Sequence, residues 1–176
     1  MELDIIKAIQ SLGSDALDIF CKVISHLSSY IGFFFLLIIF FVFYKKRFAL
    51  TFGITYGISV AFNYLLKFLV GRQRPYVVDS SIINKMSAVG QSFPSGHTLS
   101  ATIMCCFLGY WIFDKVKNRW AKAALISLLV VFLLAVIFSR MYLGQHYLTD
   151  TVAGLILGII YSCIALFIMK KNHKSK

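Results

Sequence analysis

The sequence predicts an all-α fold: an integral membrane helical bundle of five transmembrane helices, preceded by an N-terminal amphipathic helix lying in the membrane interface. Three observations carry this. Mean hydropathy is +0.80 and 59% of the 176 residues are hydrophobic, more apolar surface than a soluble domain of this size carries. Five apolar runs each approach the ~20 residues that cross a ~30 Å hydrocarbon core as a helix. The Lys and Arg residues gather in the connections and at the ends of those runs.

The elements follow in order. In residues 1–22, Leu3, Ile5, Ile6, Ile9 and Leu12 alternate with charged and polar residues at roughly helical spacing, which suits a helix lying in the interface. Its charges make a full crossing costly, and Glu2, Asp4, Asp15 and Asp18 do not fit a signal peptide. The first span is expected at 24–44 (core IGFFFLLIIFFVFY) and the second at 48–70 (FALTFGITYGISVAFNYLLKFLV). The third is expected at 97–116, the fourth at 121–140 and the fifth at 149–170. The chain is read as one domain, 1–176: interfacial helix 1–22, transmembrane core 24–170 and basic tail 171–176.

Charge orients the bundle. The connections at 45–47 and 115–122 and the tail at 170–176 fall on one side and together hold eleven Lys or Arg. The positive-inside rule puts that side in the cytoplasm, so residues 71–96 and the 141–148 turn face outward, in a multi-pass protein of the cell membrane. The net charge of +11 is read as this topology signal and as attraction to anionic headgroups, not as a nucleic-acid surface. Cys21, Cys105, Cys106 and Cys163 form no CxxC pattern and read as small buried hydrophobes. Tyr30, Tyr44, Tyr110, Trp111, Trp120, Tyr142 and Tyr147 near span ends read as interface anchors. Two GxxxG pairs, Gly53–Gly57 and Gly154–Gly158, would permit close helix packing.

The topology brings four polar clusters to the outward face. Lys67 ends the second span, with Arg72, Arg74 and Pro75 beyond it. Ser95, Gly96 and His97 open the third, Ser139 and Arg140 close the fourth, and His146 and Asp150 open the fifth. Lys67, Arg74 and Arg140 are cations suited to phosphate oxygens, Arg as a bidentate fork and Lys as a point charge. Ser95, Gly96 and His97 at a helix start offer backbone N–H groups to an anion. His146 and Asp150 stand i, i+4 on one helical face, so the carboxylate can fix the imidazole tautomer and leave the other nitrogen free to attack. His97 is a second imidazole, available as general acid. Together these describe phosphoryl transfer through a histidine, with cations stabilising the transferring group. No carboxylate cluster suits Mg²⁺, so neither a metal nor another cofactor is expected.

Arg72 and Lys85 read as loop charges or headgroup contacts. Asn63, one turn before Lys67, either faces the same place or bonds a neighbouring helix. A Ser-His-Asp hydrolase built on Ser95 or Ser139 is the competing reading, and it has no use for three cations.

At these residues the chain resembles the type 2 phosphatidic acid phosphatase family of membrane lipid phosphatases. The three motifs of that family, KxxxxxxRP, PSGH and SRxxxxxHxxxD, read here KFLVGRQRP (67–75), PSGH (94–97) and SRMYLGQHYLTD (139–150). The resemblance implies a helical bundle and metal-independent hydrolysis of a membrane lipid phosphate through a phosphohistidine. It implies Lys67, Arg74 and Arg140 as phosphate ligands, with Ser95 and Gly96 adding donors. It further implies His97 as acid and His146 as nucleophile oriented by Asp150. Family members usually carry six spans; this chain shows five and an interfacial helix. Substrate candidates are an undecaprenyl-type isoprenoid diphosphate, placed first, then phosphatidylglycerophosphate, phosphatidic acid or a lipid A phosphate. A lipid phosphotransferase and a non-enzymatic phospholipid transporter are the functional alternatives, and transport alone would need the cations but no nucleophile.

Overall fold

The structure, a computed structural model, describes the backbone of residues 1–174 and the side chains of residues 1–171. The basic character expected of the 171–176 tail therefore lies, Lys171 apart, outside the described residues. Among the described residues there are only helices: α1 (Glu2–Gln10), α2 (Asp15–Leu27), α3 (Tyr30–Phe43), α4 (Lys46–Val70), α5 (Pro75–Val78), α6 (Gly96–Lys115), α7 (Arg119–Tyr142) and α8 (Leu148–Lys174). α4 continued by α5, then α6, α7 and α8, are each long and apolar enough to cross a membrane, and α2 with α3 together make a fifth, bent candidate.

The N-terminal third departs from the expected boundaries. Residues 1–22 are not one helix, because the chain breaks at residues 11–14 and Ser14 caps a new helix by accepting from the Leu17 N–H. α2 then runs past the expected start of the first span at 24. The 24–44 run is itself divided: α2 and α3 meet at an angle of 49°. Two serines explain the division. Ser29 caps α3 by accepting from the Ile31 N–H, and Ser28 and Ser29 turn their own hydroxyls back onto the carbonyls of Ser25 and His26. α3 alone has 14 residues, about 21 Å of helix, so it needs α2 to complete a crossing. Nor does α1 present its apolar face to the membrane alone: Ile6 is fully buried against Ile82, Met141 and Tyr147.

The bundle interior is aromatic where α3, α4 and α6 meet. Phe40 stands edge-on to Phe48 and Phe52, at centroid distances of 5.0 and 5.4 Å, and Phe52 packs on Phe107 at 5.1 Å. The opposite faces of the helices are apolar and exposed, as at Phe35, Ile38, Val131, Leu134 and Phe167. That inversion of the soluble pattern is what lipid contact requires.

The packing that positions the site is α6 against α8. A Cβ on Gly154 would lie 2.6 Å from the Ser95 carbonyl oxygen, and one on Gly158 would lie 2.5 Å from the Thr102 Cβ. These two glycines let the N-terminal turn of α6 lie directly on α8. The Gly53–Gly57 pair plays no such part, since a Cβ at Gly57 meets nothing within 4 Å. Gly158→Ala should therefore lower the thermal midpoint of the purified protein, at an overpacking cost of about 1–3 kcal/mol. Gly57→Ala should leave that midpoint unchanged or raise it; equal effects from the two would refute close packing as the reason for Gly158.

Candidate active site

Helix ends and connections at one end of the bundle enclose a cavity of about 670 Å³. Lys67 from α4, Arg74 from the connection to α5, Gly96 and His97 from α6, Arg140 from α7 and His146 from the α7–α8 turn all line it. Asn63 also lines it, the first of its two expected placements, and its Nδ2 lies 3.5 Å from the carbonyl of Pro94 in the loop before α6, not from a neighbouring helix.

Local structure sets each side chain. α4 closes at Gly71, whose φ of +63° is a left-handed conformation that any Cβ would strain. The chain then turns back over the bundle end and delivers Arg72 and Arg74. Pro75 opens α5, where its missing N–H costs nothing. Ser95 is the N-cap of α6: its Oγ accepts from the Thr98 N–H and hydroxyl, while its own N–H donates to the Asp150 carbonyl at 3.0 Å. Ser95 thus faces α8, not the cavity, and the N–H groups at the cavity wall are those of Gly96 and His97, in the helix's first turn where no carbonyl lies a turn behind.

The cations are buried and partly engaged. Arg74, 6% exposed, donates from Nε to the Gly90 carbonyl at 2.9 Å, from Nη2 to the Val89 carbonyl at 3.1 Å, and from Nη1 to the Gln145 side-chain and backbone oxygens. Lys67 donates to the carbonyls of Gln91 (2.7 Å) and Ser92 (3.3 Å). Arg140, 1% exposed, donates from Nη1 to Ser25 Oγ at 2.5 Å, but its Nε has no hydrogen-bond partner. A buried guanidinium donor without a partner calls for an acceptor, and an anion in the cavity is the kind of acceptor that suits it.

His146 is 2% exposed; its Nδ1 lies 3.5 Å from Asp150 Oδ2, close enough to pair with the carboxylate but without a formed hydrogen bond. Its other ring nitrogen is left to the cavity. Burial lowers the basicity of His146 most, Asp150 works the other way, and Arg140, Arg74 and Lys67 lower it further. The pKa is pushed down to about 3. The imidazole is therefore neutral, with a lone pair available, at neutral pH. Because the folded value lies below the unfolded one, the associated stability is complete above about 6.5 and is lost as the pH falls toward the folded value.

Asp150 is fully buried and held from several sides. Arg72 Nη1 donates to Oδ1 at 2.6 Å, while the Tyr147 N–H (3.0 Å) and the Ser92 hydroxyl donate to Oδ2. Arg72 is thus neither a loop charge nor a headgroup contact, as its sequence position had suggested. Its guanidinium stacks 3.8 Å over the Tyr147 ring and is paired on both sides. Lys85 likewise pairs with Asp18 at 2.7 Å and with the Tyr142 hydroxyl. Tyr142 and Tyr147, expected as interface anchors, are buried instead, because their rings pack against these cations. Arg72, which the sequence reading took for a loop charge, and Ser92 and Gln145, which it passed over, therefore support the site from behind. Arg72 and Gln145 fall inside the motif stretches 67–75 and 139–150, and Ser92 stands two residues before PSGH, which was the available signal. Ser139, the alternative nucleophile, is buried and donates to the Val136 carbonyl of its own helix.

Fold and site define a class: a multi-span membrane protein whose helix ends enclose a cavity lined by cations and imidazoles. A family model, that of the PAP2 superfamily, matches residues 48–174, and the chain belongs to that superfamily. Undecaprenyl-diphosphatase BcrC of Bacillus subtilis is 30% identical over 116 residues, which make up 66% of this chain and 55% of that protein. Phosphatidylglycerophosphatase B of the same organism is 29% identical over 137 residues, 76% of this chain and 62% of that protein. The chain thus spans less than two thirds of the length of either relative. The crystal structure of a transmembrane PAP2 type phosphatidylglycerolphosphate phosphatase from Bacillus subtilis shares the fold, with a TM-score of 0.84 at 24% identity over 97% of this chain and 85% of that one.

The neutral state of His146 is directly measurable. In protein labelled with ¹⁵N-histidine, its ring shifts should stay those of a neutral imidazole down to about pH 4; a midpoint near the ordinary value of about 6.5 would show that the cavity does not desolvate it.

Proposed function

We propose that this protein is a membrane lipid phosphatase, hydrolysing the phosphate or diphosphate headgroup of a bilayer lipid through a phosphohistidine. One observation carries the reading: Lys67, Arg74, Gly96, His97, Arg140 and His146 line one cavity, and Asp150 lies directly behind His146. The activities printed in the names of two relatives, an undecaprenyl-diphosphatase and a phosphatidylglycerophosphatase, support it.

The steps follow from the geometry. The lipid tail stays in the bilayer and the headgroup enters the cavity. Its oxygens take the Lys67, Arg74 and Arg140 donors and the N–H groups of Gly96 and His97. Asp150, 3.5 Å from Nδ1, closes on His146 and accepts from its Nδ1–H as the headgroup binds, and the lone pair on Nε2 attacks phosphorus. The bound anionic headgroup favours a protonated His97, and the bond to the leaving oxygen breaks as His97 passes that proton to it. Water then attacks the phosphohistidine, giving its proton to His97, and the P–N bond breaks to release phosphate. Ser95 acts here by capping α6 and tying it to Asp150. Cations and imidazoles supply every role in this sequence, so no metal is invoked.

The substrate placed first is an undecaprenyl-type isoprenoid diphosphate, with phosphatidylglycerophosphate and phosphatidic acid behind it. Our reading puts the protein in the cell membrane with the cavity on the extracytoplasmic side; it is supported by Lys45, Lys46, Arg47, Lys115, Lys117 and Arg119 at the other ends of the same helices.

Phosphate release from a panel of these lipids by the purified protein tests the reading. His146→Ala should cut turnover by about 10⁴-fold or more while the lipid still binds, and Asp150→Asn should lower kcat by roughly 10²-fold. Release should persist in EDTA. Wild-type rates in His146→Ala would refute the nucleophile, and loss in EDTA restored by Mg²⁺ would refute the metal-free route.

A further inference from the structure

The reaction scheme uses Asp150 to hold His146, and leaves open what holds Asp150. The carboxylate is fully buried, and its charged partner outside the cavity is Arg72. Arg72 does not line the cavity. Its guanidinium forks between two carboxylates: Nη1 donates to Asp150 Oδ1 at 2.6 Å and Nη2 to Glu2 Oε2 at 2.8 Å. Glu2 is itself fixed, accepting from the N–H and hydroxyl of Thr149 at 2.9 Å each. Thr149 is the residue before Asp150, so α1 grips both the guanidinium and the backbone that carry the pair. Glu2 lies outside the 48–174 stretch matched by the superfamily model, so the motifs alone do not reveal this grip.

We propose that Arg72 is a positioning residue for the His146–Asp150 pair, set in place by Glu2, and that α1 is thereby part of the catalytic apparatus. The kinetic part rests on the phosphatase reading above. The physical logic is orientation. Asp150 can fix the His146 tautomer only if its own oxygens are fixed. The Ser92 hydroxyl and the Tyr147 N–H hold Oδ2, the oxygen that faces His146, and Arg72 holds Oδ1. Without Arg72, Oδ1 loses this charged donor, and the Ser92 hydroxyl and the Tyr147 N–H at Oδ2 are left to resist rotation of the carboxylate about its last bond. Lysine cannot replace the fork, because one ammonium cannot present the same planar pair of donors to two carboxylates.

The test uses the full chain in detergent or bilayer, with a short-chain isoprenyl diphosphate and phosphatidic acid as substrates. Arg72→Ala should lower kcat by roughly 10- to 100-fold, the scale seen for outer-shell partners, with KM within about twofold. Arg72→Lys should recover part of that loss. Glu2→Gln should lower kcat less, and the double variant Glu2→Gln/Arg72→Ala should be no worse than Arg72→Ala alone. In ¹⁵N-histidine spectra, which need no turnover, His146 should pass from one tautomer to a mixture in Arg72→Ala. Should Arg72→Ala fail to fold, Arg72→Lys and Glu2→Gln carry the same comparison. A raised KM with unchanged kcat would make Arg72 a headgroup contact and overturn the proposal, as would an unaltered His146 tautomer or additive losses in the double variant. A wild-type protein that releases no phosphate would overturn the phosphatase reading alone, and the spectra would still decide this one.

Discussion

A carboxylate taken fully out of water must be met by charge and by hydrogen-bond donors, and Asp150 is where this structure satisfies that requirement. The donors come from separate places in the chain: Arg72 from beyond α4, Ser92 from the loop before α6, and the Tyr147 N–H from the turn into α8. The carbonyl of the same residue takes the Ser95 N–H, fixing the start of α6. Through Arg72 the network reaches Glu2 and so α1. One buried anion thus sets the relative positions of four segments that line or back the cavity. Removing any single donor leaves the charge in place with fewer partners, which is why the network holds together as a unit.

The membrane makes the same demand in reverse. The apolar outer faces need no partner in lipid, and helices satisfy their own backbone groups. What cannot be solved within a helix is the helix end, where N–H and C=O groups lack intrahelical partners. This protein gathers four such ends, of α4, α6, α7 and α8, and closes them over one another with the 79–95 loop. The positive end of α6 and the basic side chains of α4 and α7 then face a common space, which is why that space suits an anion.

The spans beyond 46 were legible because each is a single apolar run of spanning length, and the structure bounds them with caps at Gly71, Ser95 and Asn118. The cavity-lining residues were legible because their types and spacings are chemical, and topology places them at one end. The N-terminal boundary was not legible in the same way. Ser28 and Ser29 sit in a continuous apolar stretch, and a hydropathy reading cannot tell a serine that rides in a helix from one that caps a new one. Arg72 was misread for a related reason. A cation two residues past a helix end has no partner visible in the sequence, and its partners, Glu2 and Asp150, lie 70 and 78 residues away. The i, i+4 logic that found His146 and Asp150 works within one helix and does not reach across such separations. Tyr142 and Tyr147 fail the anchor reading on the same ground, since long-range pairing with Asp18, Lys85 and Arg72 decides their burial.

The 79–95 loop shows how a cavity can be closed over cations and still admit an anion. Its outer side is fastened to the N-terminal helices. Lys7 pairs with Asp79 at 2.7 Å, Lys85 with Asp18 at 2.7 Å, and Gln10 exchanges two hydrogen bonds with Ile83. The Lys7 pair also holds the Asp79 carboxyl down at about 2, so this fastening persists throughout the neutral range. Its inner side meets Lys67 and Arg74 through carbonyl oxygens, those of Val89, Gly90, Gln91 and Ser92, and Arg140 through the Met86 sulfur at 3.9 Å. A carbonyl is a weaker acceptor for Lys and Arg than a charged phosphate oxygen. An incoming headgroup would therefore replace those oxygens one for one at Lys67 and Arg74, while Arg140 Nε gains a partner it otherwise lacks. The exchange needs only the inner strand of the loop to give way, because the outer fastenings involve none of the same groups. The N-terminal helices thus serve the site twice, once through Glu2 behind Asp150 and once by anchoring the loop that covers it.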